Sequence, residues 1–230
     1  DGLDQVAAAK VVAKWAHRVT TVARVPDLVA LAVRHATTGV PGPVVVDIPI
    51  DIMFKQIKED LATTPSLVRP LAPAPSTDAI EQLVGLLSQA RRPVILTGGG
   101  ASMSSDCRTA LEALLDEVQL PVYGVSWGLG LLDPDHPCAA GNSADLAMLQ
   151  FLAEPPDLVV LLGARRGMMT GSRSATMIPK TARVVQVDLD GAEAGRIDDA
   201  ALAITADATE TLRALTRVAQ QLPGWRDWTT

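Results

Sequence analysis

The sequence predicts an α/β protein: a doubly wound parallel sheet preceded by the tail of another α/β domain. Three observations carry this. From Thr77 onward, short aliphatic runs alternate with amphipathic segments, the pattern of repeated strand–helix units. Aromatic residues are only 3% of the chain while Ala, Val and Leu dominate, which suits aliphatic sheets under Ala-rich helices better than a β-sandwich. The chain of 230 residues is 48% hydrophobic and 20% charged, so it can bury a core without disulfides or metals.

Residues 1–55 read as the C-terminal end of a preceding domain. Residues 4–16 are Ala-rich and lean helical, and 17–22 form a short strand or a connector. Pro26 opens a helix over about 26–38, with Leu28, Leu31, Ala32 and His35 on one stripe and Gly39 at its stop. After Pro41-Gly42-Pro43, the β-branched run Val44–Ile48 reads as a buried parallel strand closed by Pro49. One helix and one strand cannot bury both their faces. This strand is therefore expected outside the main sheet, pairing with another chain or poorly ordered. Residues 56–76, with Pro65, Pro70, Pro73 and Pro75, read as an extended linker.

Residues 77–222 read as the central domain, and 223–230 as the start of a linker to a third domain. Asp78 is expected to cap a helix to about Gln89. Strand Val94–Thr97 runs into Gly98-Gly99-Gly100, and a helix over about 104–118 carries Leu111, Leu114, Leu115 and Val118 on one face. Strand Pro121–Val125 leads into a Gly-rich crossing, Gly124–Gly130, and a long loop through Gly141. A helix over about 144–153 precedes strand Leu158–Leu162, which ends at Gly163. Strand Arg183–Val187 ends at Asp188, and a short helix over about 191–196 precedes strand Ala200–Thr205. Asp207 caps a last helix to about Gln220. That gives five strands in one sheet.

Several classes are excluded. The net charge is −6 with no basic patch, so nucleic acid is not an expected partner. No apolar run approaches the ~20 residues of a membrane span, and no signal peptide is visible. Cys107 and Cys138 are too few for a disulfide framework or a cysteine metal site, and they suit a reducing cytoplasm. The chain begins at Asp1 rather than Met, as expected of a piece of a longer protein.

Parallel sheets bind ligands at the carboxyl ends of their strands. Gly99 and Gly100 follow the first central strand; they form either a tight strand–helix turn or a phosphate-approaching loop, and the motif lacks the third glycine because Met103 stands there. Arg165 follows Gly163 and is either a surface ion-pair residue or a bidentate phosphate ligand. Asp188 and Asp190 either cap the next turn or accept ribose hydroxyls. The crossing Gly124–Gly130 can line a ligand or a subunit contact. His17, His35 and His136 are scattered and read as structural, and no GxSxG, HExxH or P-loop is present. No catalytic or metal-binding residue is assigned.

A resemblance adds to this reading. Lys14–Val19, Gly42–Asp51, Arg92–Ile95 with Gly98–Gly100, Gly163–Arg165, Val187–Asp190 and Gly195-Arg196 together resemble thiamine-diphosphate-dependent enzymes. These include the acetolactate synthases, oxalyl-CoA decarboxylases, 2-hydroxyacyl-CoA lyases and the benzaldehyde lyase branch, to which Asp4–Ala7 and Asp51–Met53 are most similar. The resemblance implies the end of a pyrimidine-binding domain followed by a Rossmann-like central domain. It implies a lyase or carboligase acting on C–C bonds next to a carbonyl, with thiamine diphosphate and Mg²⁺ held mostly outside this chain, and hence a fragment without activity of its own. It also implies FAD or ADP in the central domain, or an empty site. As partners it implies the first and third domains of the same protein and a homodimer or homotetramer. A tryptophan that the benzaldehyde lyase branch sets beside its pocket falls on Ile50 here, which leaves the substrate open. The alternative is a stand-alone module binding FAD, ADP or NAD; the two cysteines exclude the zinc ribbon of an NAD-dependent deacylase.

Overall fold

A computed structural model describes residues 2–58, 68, 70–152, 155–197 and 200–225. The chain divides into two compact units, Asp1–Leu71 and Ala72–Thr230. Most of the expected linker, and the chain beyond Trp225, lie outside the described residues.

In the first unit, helix Gln5–Ala9 (α1) is capped by Asp4, whose carboxylate accepts from the Ala7 amide. Strand Trp15–Arg18 (β1), helix Val25–Thr37 (α2) and strand Val44–Asp47 (β2) follow, then the short helix Ile50–Met53 (α3). The expectation for Val44–Ile48 is corrected here. It pairs in parallel with β1 of the same chain, Trp15 opposite Val44 and Arg18 opposite Asp47. It is also only half-buried, as a two-stranded sheet in a small unit allows. Trp15 and Ala16 belong to a strand rather than to the helix-leaning stretch 4–16, and 17–18 settle as strand; WAHR lacks the apolar alternation that marks a strand locally. Its strand geometry comes from cross-strand contacts: Lys14 and Val19 amides donate to Pro43 and Asp47 carbonyls, and Arg18 Nε donates to Asp47 Oδ2 at 2.5 Å. Val19, Leu28 and Ile52 form the small core, with Trp15 beside it stacked on His17 and His35. Of the α2 stripe, Leu28 and Ala32 are buried while Leu31 faces out.

The second unit opens with helix Thr77–Gln89 (α4). Its cap is Ser76 rather than Asp78, since the Ser76 hydroxyl accepts from the Ala79 amide. Strand Pro93–Thr97 (β3) follows. The helix expected over 104–118 is Cys107–Glu117 (α6); a separate short helix that was not expected, Gly99–Met103 (α5), precedes it, and Asp106 with a left-handed φ of 59° stands between them. Next come strands Val122–Gly124 (β4) and Ala139–Asn142 (β5), helix Ser143–Leu152 (α7), and strands Leu158–Leu162 (β6), Arg183–Asp188 (β7) and Leu202–Thr205 (β8). Helix Ala208–Thr216 (α8) is capped as expected, with Asp207 accepting from the Thr209 and Glu210 amides. It stops at Thr216, and a separate turn at Ala219–Gln221 covers the rest of the expected span.

The six strands form one sheet in the order β5-β4-β3-β6-β7-β8, every pair parallel. One strand was missed: Ala139–Asn142 carries no β-branched residue and is held at the edge by pairing with β4. Side chains alternate between two cores. Ile95, Leu158 and Val160 face a core with Leu87 of α4, Leu111 and Leu114 of α6, and Leu212 of α8. Val94, Leu96, Val159 and Leu161 face the other, with Leu146 of α7 and Ile178. No helix among the described residues is long and apolar enough to cross a membrane.

Two substitutions test this core. Leu111→Ala removes a fully buried side chain and is expected to lower unfolding free energy by about 2–5 kcal/mol. Gly85→Ala on α4 meets nothing within 4 Å and is expected to raise it by roughly 0.5–1 kcal/mol. Urea denaturation checks both.

Candidate functional site

The chain leaves β3 toward β4 and β5, then crosses back to β6 and runs outward through β7 and β8. The order therefore reverses between β3 and β6. At such a switch point the loops after the two strands diverge to opposite faces, and a crevice forms outside their carboxyl ends. Gly98–Gly100 follow β3, Gly163–Arg165 follow β6, and Asp188 ends the neighbouring β7. The residues singled out from sequence thus come from adjacent strand ends.

The floor of this crevice is backbone packed on backbone. The Gly98 amide donates to Leu162 O at 3.0 Å, and the Gly100 amide to Gly163 O at 2.9 Å. A Cβ on Gly98 would lie 2.4 Å from Gly163 O, one on Gly163 2.2 Å from Ala101 N, and one on Gly128 2.1 Å from Thr97 O. Real Cβ atoms do not approach that closely, so only glycine allows these segments to meet. Gly163 also has φ +54°, a left-handed conformation that side chains resist. Gly100 spends its amide on Gly163 yet is itself exposed, whereas half-buried Gly99 lies against Trp127, whose Cβ would be 3.3 Å from a Cβ there.

Around this floor stand the polar groups. Arg165 is exposed and close enough to Asp188 for its charge to act on that carboxyl. Burial pushes the Asp188 carboxyl up, and the Asp190 amide, donating to Asp188 Oδ1 at 2.9 Å, and the Arg165 guanidinium pull it partly back. Asp190 Oδ1 in turn accepts from the Ala192 amide at 3.0 Å. These two consecutive turns, with Gly195 at φ +74°, replace the short helix expected over 191–196. Carboxylates that capture amides two residues on compete with helical bonds. Each aspartate keeps its second oxygen out of these turns. Buried Gln186 ties the rim together, its Nε2 donating to Ala164 O at 3.5 Å and its Oε1 accepting from the Gly195 amide at 3.4 Å.

Trp127 was not singled out from sequence, although it lies in the Gly124–Gly130 crossing. It is 81% exposed. Elsewhere the chemistry is quiet. The Cys107 thiol is buried and pushed up to about 11, which keeps it protonated and unreactive. His136 Nδ1 accepts from the Cys138 amide at 3.1 Å, a local turn contact. Among the described residues no group of three or more His, Cys, Asp or Glu side chains is placed to hold a metal ion.

With this geometry in view, the comparisons are specific. Residues 80–215 match the central domain of thiamine pyrophosphate enzymes. The chain belongs to this family. It is 32% identical over 241 aligned positions to glyoxylate carboligase from Escherichia coli, covering 98% of this chain and 39% of that protein. It is 29% identical to the large subunit of acetolactate synthase isozyme 1 from the same species, covering 92% of this chain and 37% of that protein. A probable 2-ketoarginine decarboxylase from Pseudomonas aeruginosa is 30% identical, covering 84% and 33%. The chain thus spans between a third and two fifths of these relatives' length. The match also accounts for the Rossmann-like sheet, and nothing in it favours a stand-alone nucleotide module.

Two predictions follow from the crevice. Gly98→Ala and Gly128→Ala force a methyl into backbone, and each is expected to cost about 3 kcal/mol or more in urea denaturation. Asp188 has a folded pKa above its ordinary 3.8, so its contribution to stability falls as pH rises through that range. Asp188→Asn is therefore expected to raise Tm at pH 7 and to leave it unchanged at about pH 3, where the wild-type carboxyl is protonated.

Proposed function

We propose that this chain is the central region of a thiamine-diphosphate-dependent lyase or carboligase that makes or breaks C–C bonds next to a carbonyl. The observation that carries the reading is the family match over residues 80–215, supported by relatives named as a carboligase, a synthase and a decarboxylase. Thiamine diphosphate supplies the electron sink for that chemistry, and the protein orients it. In our reading, its diphosphate and Mg²⁺ are held mostly outside this chain. The chain itself is non-catalytic, works with the first and third domains of the same protein as a cytoplasmic homo-oligomer, and contributes scaffold and a nucleotide rim.

For that rim we take FAD or ADP as the ligand. Exposed Arg165 suits a phosphate, because a guanidinium donates two parallel hydrogen bonds to it. The unspent oxygens of Asp188 and Asp190 suit ribose hydroxyls, and Gly99 and Gly100 let the backbone of the β3–α5 turn come close to a ligand. Gly100 contributes through shape, since its amide is already bonded.

Two experiments test the reading. The purified chain supplied with thiamine diphosphate and Mg²⁺ is expected to turn over none of pyruvate, benzoin or oxalyl-CoA; turnover at enzymatic rates overturns the non-catalytic assignment. Calorimetric titration with FAD, ADP and CoA is expected to show binding that Arg165→Ala weakens about tenfold, or ~1.4 kcal/mol. Tight binding indifferent to Arg165→Ala, or no binding of any of the three, overturns the rim assignment.

A further inference from the structure

We infer that a second site lies beside this rim: the groove between α5, the α5–α6 turn and the Trp127 turn binds a planar aromatic carboxylate. The groove is open to solvent, offers ≈ 360 Å³ and is lined by Trp127, Leu129, Leu131, Arg108, Ser102 and Cys107, among others. That volume accommodates a one- or two-ring molecule.

One wall is an exposed aromatic face on an ordered turn. Trp127 is 81% exposed, the state of an indole waiting to be covered rather than of a core residue. Its backbone is pinned nevertheless. Ser102 Oγ donates to Trp127 O at 2.6 Å, the Gly128 amide donates to Val125 O at 2.8 Å, and Ser126 is held at φ 51° although it is not glycine. A non-glycine residue in that conformation persists only where its surroundings hold it. A ring stacking here meets a surface whose backbone is already ordered, which lowers the entropy lost on binding.

The opposite wall brings a cation. Arg108 Nη2 donates to Gly130 O at 2.6 Å, so the guanidinium is anchored across the groove's end. That bond uses one of its five N–H donors. The other polar groups are otherwise engaged. The Ser104 hydroxyl bonds both oxygens of Asp207 at 2.9 and 2.8 Å, and Asp106 Oδ2 accepts from Arg213 Nη2 at 3.4 Å. Buried Cys107 supplies a neutral floor. Asp106, the one carboxylate in the lining, is paired with Arg213, so the single guanidinium of Arg108 is left to match a single negative charge; a phosphate dianion would be under-compensated. A flat ring for Trp127 and one carboxylate for Arg108 is the chemistry that satisfies both walls.

This inference is independent of the nucleotide rim, and the test separates the two. Indole-3-acetate is titrated calorimetrically into the purified chain, with indole (ring alone) and acetate (carboxylate alone) as halves of the ligand. Indole-3-acetate is expected to bind with Kd below about 1 mM and each half at least about tenfold more weakly. Trp127→Ala and Arg108→Gln are each expected to weaken indole-3-acetate about tenfold without lowering Tm, since both side chains lie at the surface. Arg165→Ala is expected to leave this binding unchanged while weakening FAD or ADP. Absence of indole-3-acetate binding overturns the inference. So does binding that both groove variants leave intact, or binding lost with Arg165→Ala.

Discussion

The architecture of the larger unit depends on how closely the ends of β3 and β6 approach each other and the turn after β4. Gly98, Gly100, Gly163 and Gly128 place carbonyl oxygens and amides where a methyl group would otherwise stand. The approach lets the Gly98 and Gly100 amides bond to β6 and its following residue, so the junction is hydrogen-bonded as well as packed. Above it, the sheet can twist and α5 can turn away abruptly without leaving buried amides unpaired. Everything at the rim inherits its position from this floor: Trp127 through Gly128, Arg165 through Gly163, and Asp188 through the β6–β7 ladder.

A second constraint binds the helical face. Asp207 caps α8, accepts the Ser104 hydroxyl on both oxygens and donates its own amide to Pro73 O. Thr209 adds a bond to Ser105 O. A carboxylate 7% exposed is costly unless satisfied. Here it is saturated by donors from α8's first turn and from the α5–α6 turn, which explains why the helical run from Gly99 to Glu117 breaks at Ser104–Asp106. The opposite end of the sheet is tied by Asp157, which accepts the Arg91 and Arg92 amides at 2.8 and 2.9 Å.

Much of this was legible in the sequence, for physical reasons that differ by element. The five apolar strands were visible because fully buried parallel strands need continuous aliphatic runs, as in Leu158–Leu162. Asp207 was visible because capping is a local interaction. Residues 139–142 were not, since Ala-Ala-Gly-Asn becomes a strand only through its neighbour β4. The false helix at 191–196 arose because the sequence does not reveal that Asp188 and Asp190 take up the amides a helix would use. The glycines at strand ends were noticed, yet their packing partners lie some 65 residues away along the chain (Gly98 against Gly163), beyond any local pattern. Trp127 and Arg108 were overlooked for the same reason: the groove exists only once two distant turns are brought together.

The strand order also has a consequence for the chain as it leaves the ribosome. The central strand β3 is flanked by β4 and by β6, and Pro93 pairs with Leu158 across most of the intervening sequence. While only residues up to about 150 have emerged, β3 has a partner on one edge and an open aliphatic edge on the other. Non-local parallel pairing closes late because its loop entropy must be overcome first. Until β6 arrives, the nascent sheet presents the unpaired backbone edge of β3 to its surroundings. During synthesis this half-sheet is therefore the segment most in need of shielding from other chains.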